Sequence, residues 1–230
     1  MSTPEKKKGK FIVIEGTDGS GKGTQVELLA EAFRDKDVRF EITDFPQYNT
    51  PSAFFVEKYL RGEYGALDEV GPYKASYFYA LDRFDKSHDM YKWLGEGTHI
   101  ISNRFTTSSM GHQTSKLNTI EEQDTFLDWL DNLEYRDLDI PRPDLVIFLF
   151  VPPEVGQKLV AQKNAREYTK GKSHDIHEAD LNHLTKASQA YEYVAKKFGW
   201  LRIDCTKDGE LMSREEIHGL VLEKITDFLK

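Results

Sequence analysis

The stretch that most constrains this 230-residue chain is Gly16-Thr17-Asp18-Gly19-Ser20-Gly21-Lys22-Gly23-Thr24, which directly follows the apolar run Phe11-Ile12-Val13-Ile14. Strand, glycine loop, lysine and helix in that order make a P-loop. Its glycines let several backbone N–H groups converge on phosphate oxygens, the following helix presents the positive end of its dipole, and Lys22 adds charge. Residues Gly16 to Thr24 are therefore expected to hold a nucleoside triphosphate. One position departs from the common pattern. The Ser/Thr that ordinarily ligates magnesium after Gly-Lys is Gly23 here, and the hydroxyl arrives one residue later as Thr24.

The rest of the chain fits an α/β fold around that loop. Apolar or alternating segments at about Lys10–Glu15, Val38–Thr43, Thr98–Ser102, Asp144–Val151 and Trp200–Asp204 read as strands. Helical patterns separate them. One follows the P-loop, one starts at Thr50-Pro51 and runs to about Arg61, and one opens at Pro72 and reaches Leu94. Others start at the capping box Thr119-Ile120-Glu121-Glu122, at Pro153, at Ile176 and at Ser213. Strands alternating with helices predict a parallel sheet with right-handed crossovers and ligands at the carboxyl ends of its strands.

Length and composition, 39% hydrophobic and 30% charged, suit one domain over residues 10–230 after a basic tail at 1–9. A net charge of −8 argues against broad nucleic-acid binding. No apolar run approaches the roughly 20 residues that span a bilayer, so no membrane partner is expected. The lone Cys205 fits a reducing, cytoplasmic setting as a buried structural thiol.

Several side chains are placed for chemistry. On the helix from Pro72, Tyr73, Tyr77, Leu81 and Phe84 form one stripe, expected to be core, while Tyr79 and Arg83 are neighbours on a second face. Tyr79 and Arg83 suit a nucleobase, through ring stacking and hydrogen bonds to carbonyl acceptors; an aromatic helix contact with Arg83 in a surface ion pair fits them equally well. Arg104, delivered by the third strand, is the candidate clamp for an acceptor's phosphate, against the alternative of a salt bridge. Ser108, Ser109, His112 and Gln113 follow within two helical turns, and Gln113 is placed to read a base edge. Lys163, Arg166, Lys170 and Lys172 read as a cationic lid over about 163–175, or else as a solvated loop.

In their order along the chain these segments resemble the thymidylate kinase family of P-loop nucleoside monophosphate kinases. The carriers are the P-loop with Asp18, Phe45-Pro46-Gln47-Tyr48, Ala80-Leu81-Asp82-Arg83, Asn103-Arg104-Phe105 with Ser108-Ser109, Pro143-Asp144-Leu145, Val151-Pro152-Pro153-Glu154-Val155 and Asp175-Ile176-His177-Glu178. The resemblance implies a three-layer fold with a five-stranded parallel sheet, transfer of the γ-phosphoryl of magnesium-ATP to dTMP, and a homodimer. A kinase for another deoxynucleotide such as dUMP, or a nucleotide-binding relative with reduced turnover, is the alternative.

Carried over, Tyr79 would stack on thymine, Arg83 would bond its carbonyl, Gln113 would lie near the base and Arg104 would hold the dTMP phosphate. Tyr48 would flank the deoxyribose or phosphate, and Asp18 would sit between sugar and magnesium. Lys22 would neutralise the transferred phosphoryl group. Because Gly19 stands where some members carry an arginine, the catalytic arginine would come from the lid as Arg166. The family usually has Asp-Arg-Tyr where this chain has Asn103-Arg104-Phe105, so magnesium would lean on Thr24, Asp18 and Glu178. His112 stands where the family tends to place an aromatic near the sugar.

Overall fold

In the computed structural model of the chain, residues 8–159 and 181–230 are described. The expected lid at 163–175, with Arg166, lies outside them, as do Asp175, Glu178 and most of the tail. Gly9 already belongs to the fold, because it is buried and its N–H donates to the Leu94 carbonyl at 2.8 Å.

Five strands form one parallel sheet in the order β2-β3-β1-β4-β5, with β1 Phe11–Glu15, β2 Phe40–Asp44, β3 His99–Asn103, β4 Leu145–Phe150 and β5 Leu201–Asp204. The central β1 is buried on both faces, as a parallel strand between helical layers must be. Because successive side chains point to opposite faces, Ile12 and Ile14 join Ile147 and Leu149 in a cluster with α1 (Lys22–Asp35) and α8 (Arg214–Leu229). Phe11 and Val13 face the other layer, where Met90 of α3 (Leu67–Gly95) and Phe105 cover them.

The remaining helices are α2 (Phe54–Leu60), α4 (Thr106–Thr114), α5 (Ile120–Asn132), a helix α6 described over 153–159, and α7 (Leu181–Phe198). Helix starts follow the sequence signals. Thr119 and Ser213 each accept from the N–H three residues on, and Glu122 and Glu216 return the bond. Gly71, at φ 73°, breaks α3 just before Pro72, so the regular helix opens at the proline. Gly111 serves close approach: a Cβ there would stand 2.4 Å from the ring of buried Tyr191, so α4 lies directly on α7.

The apolar stripe of α3 corrects the sequence reading. Tyr73, Tyr77, Leu81 and Phe84 are 39, 46, 45 and 40% exposed, whereas Ser76, Ala80, Arg83, Ser87 and Met90 make the buried face. Small side chains let the helix lie close on the sheet layer. The large ones are left half outside, where Tyr73 and Tyr77 lean on Trp129 of α5, with ring centroids 4.7 and 5.4 Å apart, and Tyr73 also meets Phe126 edge-on at 5.2 Å. A short hairpin, Thr206–Lys207 with Glu210–Leu211, also went unread, although Asp208-Gly209 at positive φ is a two-residue turn signal.

Candidate active site

At the carboxyl edge of β1, β2 and β3 opens a cavity of about 810 Å³, lined by the P-loop from Asp18 to Gln25, the Asp44–Tyr48 segment, Tyr79 and Arg83 of α3, Asn103-Arg104, and one side of α4. The P-loop is shaped by its neighbours. A Cβ on Gly16 would stand 2.7 Å from the Leu149 carbonyl, so only glycine lets the chain turn that close to β4. Lys22 is buried, and its Nζ donates to the carbonyls of Gly16 and Thr17, both at 2.8 Å, which holds the ammonium over the loop. Thr24, in the first turn of α1, lines the cavity.

Glu15, at the end of β1, was not singled out in the sequence. Fully buried, it accepts from Gly16 N at 2.9 Å and Tyr191 Oη at 3.1 Å through Oε1, and from Thr107 Oγ1 at 2.6 Å and Ser108 Oγ at 2.8 Å through Oε2. It thereby ties the P-loop, α4 and α7 together. A buried glutamate in an apolar strand is the signal that was available, since such a group is retained only with partners.

Arg104 follows β3 in the left-handed region at φ 64°, a costly conformation for a non-glycine residue, and one that aims its side chain into the cavity. Its Nη2 pairs with Asp18, while Nη1 reaches Ser108 Oγ at 3.3 Å and His112 Nε2 at 3.1 Å. Burial alone would raise the Asp18 carboxyl, but Arg104, His112 and Lys22 outweigh it and hold it well below the usual carboxylate range. Burial raises Asp44, and the opposing pull of Arg104 and the Asn103 amide does not cancel the effect. Asp44 and Asn103 are register partners across β2 and β3, and Asn103 Nδ2 donates to Asp44 at 2.9 Å.

Arg83 is where the expectation needs correcting. It is 1% exposed, and Nε donates to Glu134 Oε2 at 2.7 Å while Nη2 pairs with Glu134 and with Ser109 Oγ at 3.0 Å. The ion pair is buried, not superficial, and Arg83 still borders the cavity. Glu134 lies in an irregular turn, Leu133–Asp137, 51 residues away in sequence, and no local pattern announces the pairing. Tyr79 lines the cavity edge-on to Tyr59, ring centroids 6.2 Å apart, and Gln113, 4% exposed, borders it too. Asp82, also buried, accepts from Gln47 N at 2.9 Å and Ser52 Oγ at 2.6 Å and so fixes the loop carrying Tyr48. Beyond the P-loop, Gln25, Leu211, Met212 and Arg214 line the far end of the cavity, none of them anticipated.

Because its folded pKa lies below the unfolded value of about 3.9, Asp18 adds stability above that pH, and the contribution fades as pH falls through the folded value. Asp18→Asn should therefore cost about 1–2 kcal/mol of unfolding free energy at pH 7 and progressively less below about pH 4. Urea unfolding of both proteins across pH checks this; a pH-independent difference would contradict it.

Among proteins of known kind, the thymidylate kinase family model matches residues 14–216. A thymidylate kinase of Plasmodium falciparum is 28% identical over 97% of this chain and 93% of its own length. A probable thymidylate kinase of Thermococcus onnurineus is 32% identical over 90% of this chain and 93% of its own length. The solved structure of a Candida albicans thymidylate kinase superimposes with a TM-score of 0.71 at 20% identity, covering 96% of this chain and 92% of that one. With the P-loop, the arginine-bearing strand edge and the α4 wall arranged around one cavity, this chain belongs to the thymidylate kinase family.

Proposed function

We propose that the protein transfers the γ-phosphoryl group of ATP to dTMP, giving dTDP and ADP. The observation that carries the reading is one continuous cavity with Lys22 and the P-loop on one side and Arg104 on the other, joined by Asp18. Two phosphate-binding cations in one cavity suit a donor and an acceptor brought end to end. Phosphoryl transfer of this kind asks for positioning and charge neutralisation more than for a strong base. In this reading Lys22 stabilises charge on the transferred group, and Arg104 grips the acceptor phosphate as a planar fork. Tyr79 offers a stacking face to the base, Tyr48 and His112 border the sugar and phosphate, and Ser108 and Ser109 set the two arginines. Gln25, Leu211, Met212 and Arg214 then face the donor's base.

Magnesium fits the residues present. Thr24, Asp18 and Asp44 offer only oxygen donors around the cavity, as that ion requires, and Asn103 Oδ1 is buried without a partner among the described residues. When bound, the ion neutralises phosphate charge; Thr24 and Asp18 would hold it. Asp44 supplies a carboxylate beside Asn103, at the edge where the family usually has an aspartate.

No described helix is long and apolar enough to cross a membrane. Cys205 is buried, and burial pushes its thiol up to about 12, which makes it unreactive and suits a cytoplasmic protein. The exposed face of Tyr73, Tyr77, Leu81 and Phe84 supports pairing of two copies, because one helix carrying four such side chains forms a patch worth covering.

A coupled ADP-release assay across dTMP, dUMP, dCMP, dGMP and dAMP should show turnover with dTMP above the amino-pyrimidine and purine acceptors. No turnover with any acceptor, despite ATP binding, would sink the kinase reading. Arg104→Ala should weaken dTMP binding on the order of 100-fold while changing ATP affinity little, as loss of a charged bidentate contact implies; equal losses for both nucleotides would contradict its acceptor role. In sedimentation, the unmodified chain should run as a dimer and Leu81→Glu should shift it toward monomer, whereas a monomeric unmodified chain would rule the pairing out.

A further inference from the structure

Gln25 is the fourth residue of α1, one turn beyond Lys22 and therefore on the same side of the helix, where both residues line the cavity. It is 2% exposed, and with Leu211, Met212, Arg214 and Ile217 it forms the end of the cavity beyond the P-loop. The fold orients its amide. Nε2 donates to the Arg214 carbonyl at 3.0 Å, and because only the amino side of an amide can face a carbonyl, Oε1 points away from that bond. Oε1 is buried and has no hydrogen-bond partner among the described residues. Such atoms are rare in folded proteins, and one beside a cavity calls for a donor from whatever enters it.

The surroundings say what kind of molecule brings that donor. Leu211 ends the short hairpin that turns at Asp208-Gly209, and Met212 N donates to the Cys205 carbonyl at 2.9 Å, which pins both side chains beside the start of α8. Ile217 belongs to the apolar cluster shared by the sheet, α1 and α8, and Met212 packs against it. The walls are therefore apolar, and they suit the faces of a flat ring. Arg214 stands at the rim, with its Nε donating to Glu215 Oε1 at 2.6 Å and both side chains exposed. Among the described residues at this end, Gln25 Oε1 is the one buried side-chain polar atom left without a partner. Thr24 closes the phosphate loop and Gln25 is the next residue, so a triphosphate in the loop carries its base this way.

We propose that Gln25 selects the phosphoryl donor by its base: Oε1 accepts a hydrogen of the exocyclic amino group of adenine, while Leu211, Met212 and Ile217 hold the ring by its faces. Guanine turns a keto oxygen to the same position, so two acceptors meet. A purine without a substituent there has no hydrogen to give. A site built on a hydrogen bond discriminates against both, because its own buried group is then left unpaired. Gln25 is thus a specificity-determining residue for the donor nucleotide. This role rests on the reading of the P-loop side of the cavity as the ATP seat, and not on the identity of the acceptor.

Titration calorimetry of the full chain with the magnesium complexes of ATP, GTP and purine riboside 5′-triphosphate, which lacks the amino group, tests it without turnover. The unmodified protein should bind ATP on the order of tenfold more tightly than either analogue, as one hydrogen bond to a buried acceptor implies. Gln25→Met keeps the length of the side chain and removes both polar groups. With folding judged by circular dichroism, it should bring the three dissociation constants within about twofold of one another, mainly by weakening ATP. Loss of the bond to Arg214 alone would weaken all three alike, so the ratio separates reading of the base from support of the helix. Where that variant does not fold, the side-chain amide nitrogen-15 resonance of Gln25 in the unmodified chain should take different positions with ATP and with purine riboside triphosphate; a common position overturns the role. Equal affinity of the unmodified chain for ATP and either analogue, or an unchanged ratio in folded Gln25→Met, overturns it too and leaves the kinase reading intact. An unmodified chain that binds none of the three triphosphates overturns the ATP reading and this one with it.

Discussion

Glu15 ends the central strand with no exposed surface, and four donors from three parts of the chain converge on its two oxygens. The Gly16 N–H sets the entry to the P-loop, Thr107 and Ser108 fix the first turn of α4, and Tyr191 locks α7 across the same point. A carboxylate in that position is tolerable only because every lone-pair direction has a partner and the Arg104 guanidinium stands 3.9 Å away. Removing the acceptor would strand several buried donors at once, each costing about 1–3 kcal/mol. The P-loop and Arg104 are therefore not independent features of the site. They share one buried anchor.

From that anchor the charges are ordered outward. Asp18 and Arg104 pair directly in the cavity wall, and the pairing keeps the aspartate ionised while orienting the guanidinium. The second arginine of the cavity wall, Arg83, is turned inward onto Glu134, with Thr106 adding a further bond to the same carboxylate at 2.6 Å. This buried pair joins α3, α4 and the turn after α5, and so serves first to hold the cavity walls at a fixed spacing. A side chain chosen in the sequence for contact with ligand thus also carries the buried ion pair that sets the wall, while still bordering the cavity.

The sequence made legible whatever is encoded locally. The P-loop, the five strands, the capping boxes at Thr119 and Ser213 and the helix start at Pro72 all rest on neighbours within a few residues, and all five strands and these helix starts appear in the fold. Residues that needed a distant partner were not legible. Glu15 draws donors from positions 16 to 191, and Glu134 and Arg83 meet across 51 residues of chain. The stripe Tyr73, Tyr77, Leu81 and Phe84 shows a further limit. Its helical period is real, but apolar character there does not mean burial, because the close-packed face of α3 is built from Ser76, Ala80 and Ser87. Small side chains carry a weak hydrophobic signal even where packing depends on them.

The central claim is that one cavity anchored on Glu15 seats donor and acceptor phosphates between Lys22 and Arg104. A crystal structure with dTMP and a non-hydrolysable ATP analogue bound together tests it most directly. The account predicts the triphosphate in the Gly16–Thr24 loop under Lys22, the dTMP phosphate on Arg104, and the two phosphates facing end to end. A dTMP phosphate held elsewhere, with Arg104 still closed on Asp18, would contradict it.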